Sequence, residues 1–197
     1  MRPNTPDDLY EKLIVAHGPT ARGVGWRNED EQNRRYQVMF EGHQYGYSSI
    51  LDVGCGYGEL VRFLESNRPN WFPHIKYWGL DTNPYAIDLA RAGFGNARPV
   101  DSEGERKFIE GDIREIKGDA TFDLVVGCGV LSWYEFRYKL EILQAMWARC
   151  RKTLVFNIRT KDVGVADLAF LLPMFKTQNW KIRHDYGLDE MTVWVTR

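Results

Sequence analysis

The chain has 197 residues, of which 44% are hydrophobic and 27% charged, and 26 basic against 27 acidic groups leave a formal net charge of −1. That length suits one domain with a real core and is short for two catalytic domains. An aromatic share of 14% excludes a wholly disordered chain, no apolar run approaches the ~20 residues that cross a bilayer, and the near-neutral balance argues against nucleic-acid binding by bulk charge.

Met1 to Asp8 carries two prolines and three charges, which is unlike a signal peptide. The three cysteines (Cys55, Cys128, Cys150) form no CxxC pair, and the four histidines show no HExxH spacing. The expectation is a cytoplasmic protein with reduced thiols, no membrane partner and no protein-bound metal. Residues 1–45 read as an N-terminal extension, helical in part and a candidate lid; 46–197 read as the main domain. In the extension, a turn-prone stretch runs from His17-Gly18-Pro19 to Gly25-Trp26. A helical pattern follows from Glu29 to Glu41, with Tyr36, Met39 and Phe40 on one face.

From Ser49 the pattern alternates. Ile50–Val53 is a short apolar run that ends in glycines and reads as a buried strand; Glu59–Asn67 is helical. Lys76–Leu80 reads as a second strand. Asn83-Pro84 opens a helix, because Asn caps well and Pro suits the first helical position, and that helix should stop at Gly93 or Gly95. Lys107–Ile109 and Phe122–Val126 read as strands three and four, Arg137–Arg149 as an amphipathic helix, and Thr153–Ile158 as strand five. A helix is expected over Asp162–Leu172, ending at Pro173, before two late strands, Trp180–Arg183 and Met191–Val195. Alternating strands and helices argue for an α/β domain with an open, mostly parallel sheet covered on both faces. The short link between the last two strands forces the final one to run antiparallel.

Ligands in such sheets bind at the carboxyl ends of the strands. The first end is Asp52-Val53-Gly54-Cys55-Gly56-Tyr57-Gly58, where three alternating glycines let a ligand approach the backbone. By itself this loop does not separate a nicotinamide cofactor from S-adenosylmethionine. The second end is Asp81-Thr82-Asn83, and a carboxylate there can accept both hydroxyl hydrogens of a ribose. The third is Asp112-Ile113, suited either to an adenine amine and ring or to an Asx turn. The fourth, Cys128-Gly129-Val130, lets the chain pass close to a cofactor. Trp133, Tyr134 and Glu135 then lie near the reacting centre or pack the first turn of the next helix.

At these residues the chain resembles the class I S-adenosylmethionine-dependent methyltransferases. Leu51–Gly58 is similar to their first motif, with Asp two residues before the first glycine, and Asp81, Asp112 and the strand Phe122–Val126 follow in order and spacing. The resemblance spans about residues 49–197. It implies a Rossmann-like three-layer sandwich, a seven-stranded mostly parallel sheet with an antiparallel last strand, and a methyl-transferring enzyme whose product is S-adenosylhomocysteine. A narrower resemblance covers the whole chain, to small bacterial and phage-type methyltransferases. It is carried by His17-Gly18, Gly23-Val24-Gly25-Trp26, Gln32 with Arg35-Tyr36, Phe156-Asn157, Arg183-His184-Asp185-Tyr186 and Met191-Thr192-Val193. The chain departs from that group at Cys128–Trp133, where a Ser-Gly start and a later Asn are expected.

By this resemblance Asp52, Gly54, Cys55, Gly56 and Gly58 approach the methionine part of the cofactor. Asp81 holds the ribose hydroxyls, with Thr82 and Asn83 beside it among the cofactor-binding residues, Asp112 and Ile113 bracket the adenine, and Cys128, Gly129 and Val130 pass close to the cofactor. Arg35 or Gln32 reaches the cofactor carboxylate, unless Arg35 beside Arg34 is only a solvated helix face. Trp26, Trp133 and Tyr134 fall on the substrate side. If the acceptor must lose a proton, Glu135, His184 and His17 are the candidates, with Asn157 as an orienting group.

No Asp/Asn/Ser-Pro-Pro-aromatic motif follows the fourth strand, and Asn83-Pro84-Tyr85 follows the second, so exocyclic amines of DNA bases are disfavoured. No Pro-Cys nucleophile supports cytosine C5 chemistry. The favoured acceptor is a small molecule, with RNA or a protein side chain as alternatives. A non-catalytic cofactor-binding subunit and a nicotinamide-dependent oxidoreductase are the competing readings.

Overall fold

Short runs rich in β-branched and aromatic residues, each cut off by glycine or a polar turn, fold as strands. The structure, a computed structural model, describes residues 6–41, 46–94, 104–132, 134–161, 167–168, 171–177 and 179–197. Among these residues the strands are β1 (Ser49–Val53), β2 (Lys76–Asp81), β3 (Arg106–Glu110), β4 (Phe122–Gly127), β5 (Cys150–Arg159), β6 (Trp180–Arg183) and β7 (Glu190–Thr196). The helices are α1 (Pro6–His17), α2 (Glu29–Met39), α3 (Glu59–Asn67), α4 (Pro84–Phe94) and α5 (Phe136–Arg149).

The strands form one seven-stranded sheet in the order β3-β2-β1-β4-β5-β7-β6. β1 pairs in parallel with β2 and β4, with Leu51 opposite both Trp78 and Val125, and β5 extends the parallel set beyond β4. β7 runs antiparallel to both β5 and β6, placing Phe156 and Ile182 opposite Val193. The expected architecture is therefore the observed one. Every residue of β1 and β4 is buried, as centre strands covered on both faces require, whereas the edge strands β3 and β6 are partly exposed.

The helices pack in two layers. On one face α2, α3 and α4 bury Tyr36, Phe40, Leu60, Leu64 and Ile87 against Ile50, Tyr77 and Val126. On the other, α5 and a 3-10 turn (Leu172–Phe175) bury Leu143, Met146, Leu172 and Phe175 against Val125, Leu154 and Phe156. Strand order reverses between β1 and β4, so their carboxyl ends splay apart and leave a crevice there.

Several boundaries differ from expectation. α2 stops at Met39, two residues early, because the backbone leaves helical geometry at its C-cap, Phe40 (φ −100°, ψ 8°). α4 ends at Phe94, and Gly95 lies outside the described residues, as does most of the helix expected over Asp162–Leu172. α1 has no counterpart in the sequence reading. Its signal was present: a proline at the start, and Tyr10, Leu13, Ile14 and His17 at i, i+3, i+4 and i+7.

Candidate functional site

The crevice deepens into a cavity whose empty space, mouth included, is about 1010 Å³. Its floor comes from the ends of β1, β2 and β4: Val53 to Tyr57, Leu80 to Asn83, and Cys128 to Val130. Gly111, Asp112 and Ile113 after β3 form one side, with Tyr134 and Ile142. The other side is the N-terminal extension, through Tyr10, Ile14, Val24, Trp26, Gln32 and Tyr36.

The glycine loop is bent back over β2. Gly54 and Cys55 both donate their N–H to the Leu80 carbonyl, at 2.7 and 3.0 Å. At Gly56 the backbone is left-handed (φ +53°), and a Cβ would lie 3.0 Å from Val24 Cγ1, so only glycine fits without displacing the extension. Asp81 fixes this geometry from below. Its Oδ2 accepts the Gly56 N–H at 2.8 Å and its Oδ1 accepts the Asn83 N–H at 2.9 Å. The helix cap is a separate function: Asn83 Oδ1 accepts the Ala86 N–H at 3.0 Å. The carboxylate that ends β2 therefore ties the glycine loop to the start of α4.

Asp52 stands behind the loop, outside the cavity wall, because it faces the interior of the sheet at 2% exposure. Its Oδ2 accepts the Tyr77 hydroxyl at 2.6 Å. Burial raises its carboxyl to about 7, the Tyr77 hydrogen bond opposes, and the Asp81 charge adds to the rise. An unfolded aspartate titrates at ~3.9. Between roughly pH 4 and 7 the folded chain thus binds a proton that the unfolded chain has released, and stability falls as pH rises through that window. Asp52→Asn keeps an acceptor for Tyr77 and removes the titration. Urea unfolding at steps from pH 5 to 8 should show a slope smaller by about 1 kcal/mol per pH unit in the variant. Parallel curves for the two proteins would show that Asp52 carries its charge throughout.

Asp112 faces the cavity, but its carboxylate is already gripped by Arg114, whose Nε lies 3.0 Å from both oxygens. Burial pushes this carboxyl up, and the Arg114 hydrogen bonds and charge outweigh it, holding it below the ordinary range. On the opposite wall, Gln32 Nε2 donates to the Tyr36 hydroxyl at 3.2 Å, and burial pushes the Tyr36 phenol well up. The Tyr57 hydroxyl donates to the Thr20 carbonyl, which pins the extension onto the glycine loop.

Arg35, expected to reach toward a ligand carboxylate, does not line the cavity. Its Nε and Nη2 donate to Glu190 at 2.8 and 2.9 Å, and its Nη1 donates to the Glu31 carbonyl at 2.8 Å. It is not a solvated helix face either, at 5% exposure. Asn157 is equally engaged: Oδ1 accepts the Gly129 N–H at 2.6 Å and Nδ2 donates to Glu190 at 2.7 Å. Gly58 caps α3 with its α-carbon against Phe94 and Phe108, away from the cavity. Glu135 and His184 are exposed and outside the wall, because one precedes α5 and the other lies in the turn after β6. Trp133 lies outside the described residues.

The structure thus brings Gly54, Cys55, Gly56, Asp81, Thr82, Asn83, Asp112, Ile113, Cys128, Gly129, Val130, Trp26, Gln32 and Tyr134 to one cavity. It adds Tyr10, Ile14, Val24, Tyr36 and Glu59, which the sequence reading did not place there. Tyr10 and Ile14 follow from the spacing of α1, and Tyr36 from the buried face of α2. Val24 belongs to the Gly23-Val24-Gly25-Trp26 piece of the narrower resemblance, but only the tertiary fold sets it on Gly56.

Residues 51–154 match the family described as a methyltransferase domain. Among curated relatives, trans-aconitate 2-methyltransferase of Enterobacter sp. (strain 638) is 29% identical over 93 residues, which are 47% of this chain and 32% of that protein. Malonyl-[acyl-carrier protein] O-methyltransferase of Halalkalibacterium halodurans is 24% identical, over 74% of this chain and 57% of the relative. The chain spans less than two thirds of either relative's length. Among solved structures, the magnesium protoporphyrin IX methyltransferase of Synechocystis PCC 6803 with bound S-adenosylhomocysteine has a TM-score of 0.68 at 12% identity, over 96% of this chain and 97% of that one. At that identity the likeness is one of fold.

Proposed function

The chain belongs to the methyltransferase-domain family, and on that premise we propose that it is an S-adenosylmethionine-dependent methyltransferase acting on a small-molecule acceptor. The observation that carries the reading is Asp81, a carboxylate at the mouth of the strand-order reversal, held in place by the Gly56 N–H on the wall of a ligand-sized cavity. A carboxylate oxygen accepts more than one hydrogen bond, so Asp81 can hold the loop and receive ribose hydroxyls together.

The residues present fit the cofactor. The described cavity wall carries the carboxylates of Glu59, Asp81 and Asp112 and no lysine, arginine or histidine. A ligand with a sulfonium, an ammonium and one carboxylate is net positive and suits that wall. Bound there, the cofactor supplies a methyl group already activated on sulfur, so the protein's contribution is alignment and exclusion of water.

In this reading Asp81 binds the ribose, with Thr82 and Asn83 beside it. Asp112, kept ionised by Arg114, accepts from the adenine amine, and Ile113 packs on the ring. Gly54, Gly56 and Gly129 allow the backbone to approach closely. The extension, residues 1–45, supplies the opposite wall through Trp26, Gln32 and Tyr36, and Tyr134 borders the acceptor side. No proton-accepting role is assigned to Glu135 or His184, given their exposed positions off the cavity. The acceptor named for one of the curated relatives, trans-aconitate, supports a small organic molecule. Among the described residues no helix is long and apolar enough to cross a membrane.

Calorimetric titration tests the proposal. Micromolar binding of S-adenosylmethionine and S-adenosylhomocysteine with no response to NADH is the expected result. An acceptor screen read by S-adenosylhomocysteine release then identifies the substrate. Binding of NADH alone would overturn the reading.

A further inference from the structure

We propose that Asn157 and Glu190 are positioning residues that hold the two opposed walls of the cavity in register, although neither lines it. The inference rests on the ligand assignment above for one of its readouts and on geometry alone for the other.

A closed circuit of contacts carries it. On the loop after β4, the Gly129 N–H donates to Asn157 Oδ1 at 2.6 Å. From β5, Asn157 Nδ2 donates to Glu190 Oε2 at 2.7 Å. At the start of β7, the Glu190 carboxylate takes two hydrogen bonds from Arg35 of α2, at 2.8 and 2.9 Å. The Arg35 guanidinium lies 4.0 Å from the centre of the Trp26 ring. Trp26 closes the circuit on Gly129, where a Cβ would lie 2.6 Å from the indole. Two members, Trp26 and Gly129, are cavity wall, one on the extension and one on the β4 loop.

Three features make this more than packing. Arg35, Asn157 and Glu190 are at most 5% exposed, so solvent cannot replace a lost partner. Each hydrogen bond after the first involves the Glu190 charge, which strengthens it and fixes its direction. Gly129 is left-handed (φ +81°) and in contact with Trp26, so a shift of the loop moves the indole and a shift of the indole moves the loop. Through this circuit the extension and the β4 loop act as one wall.

The test uses the full chain and three variants: Asn157→Ala, Trp26→Ala and the double substitution. Trp26 is only half-buried, so its removal leaves the fold intact even if Asn157→Ala proves hard to purify. The first readout is the affinity for S-adenosylhomocysteine, measured by calorimetry well below the unfolding temperature of each variant. Each single change should weaken binding about tenfold or more, and the double change should weaken it by much less than the product of the two. The second readout needs no ligand. Amide hydrogen exchange in residues 20–36 should speed up at least tenfold in Asn157→Ala, although that residue lies on β5. A purely structural role would lower stability while leaving affinity unchanged and exchange in 20–36 at the wild-type rate, and that result overturns the proposal. Multiplicative losses in the double variant also overturn it. If the wild type binds no S-adenosylhomocysteine, the functional reading fails, and the exchange measurement still decides this one.

Discussion

Asp81→Ala should weaken S-adenosylhomocysteine binding by about 100-fold or more. Two hydrogen bonds from ribose hydroxyls to a charged acceptor are worth about 3 kcal/mol together, and each 1.4 kcal/mol is tenfold. The same change frees the Gly56 and Asn83 N–H groups, both currently held at under 3 Å, so the glycine loop loses its anchor as well. Asp81→Asn separates the two effects. The amide oxygen can still hold one backbone N–H, but it cannot accept from both the loop and the ribose with a full charge. An intermediate loss for Asn and a full loss for Ala is the expected order. Equal, small losses in both would mean that the ligand's sugar does not meet the end of β2. Asp112→Ala should cost less, since Arg114 already occupies much of that carboxylate.

The second large effect is on stability. Arg35 and Glu190 form an ion pair with side chains 6% and 4% exposed. Removing one partner from such a pair leaves a charge stranded in the interior and costs about 3–5 kcal/mol. Glu190→Ala is expected to lower unfolding free energy by that amount in urea titration. Replacing both residues, Arg35→Met with Glu190→Met, should recover most of the loss, because no charge is left to desolvate. A single variant that costs under about 1 kcal/mol would show that water reaches the pair.

How much of this was visible in the residues follows from the range of each interaction. The sheet was legible because Ile50–Val53 and Phe122–Val126 are apolar runs punctuated by glycine, and such local patterns have few alternatives. The cavity floor was legible for the same reason: strand ends carrying Asp81, Gly56 and Gly129 lie where parallel sheets bind ligands. The role of Arg35 was not. It pairs with Glu190, 155 positions away, and nothing near either residue marks the other. Asp52 sits two residues before Gly54, yet one residue along a strand turns a side chain to the other face, so proximity in sequence put it behind the loop rather than in the cavity. Asn157, read as an orienting group for an acceptor, was placed at the correct strand end but faces Glu190 instead.

β7 is the last strand in the chain order, yet it lies between β5 and β6. On a ribosome, β6 is made before the neighbour that gives it hydrogen bonds, and it must wait beside an open sheet edge until β7 is threaded in. Long-range antiparallel pairing of this kind is slow and leaves a sticky edge exposed meanwhile. Glu190 arrives with β7, so until that same event the Arg35 guanidinium has only Glu31 of its own helix, at 3.7 Å, as a counter-charge. Assembly of the sheet and maturation of the binding site should therefore coincide in refolding, with ligand protection appearing only in the final phase.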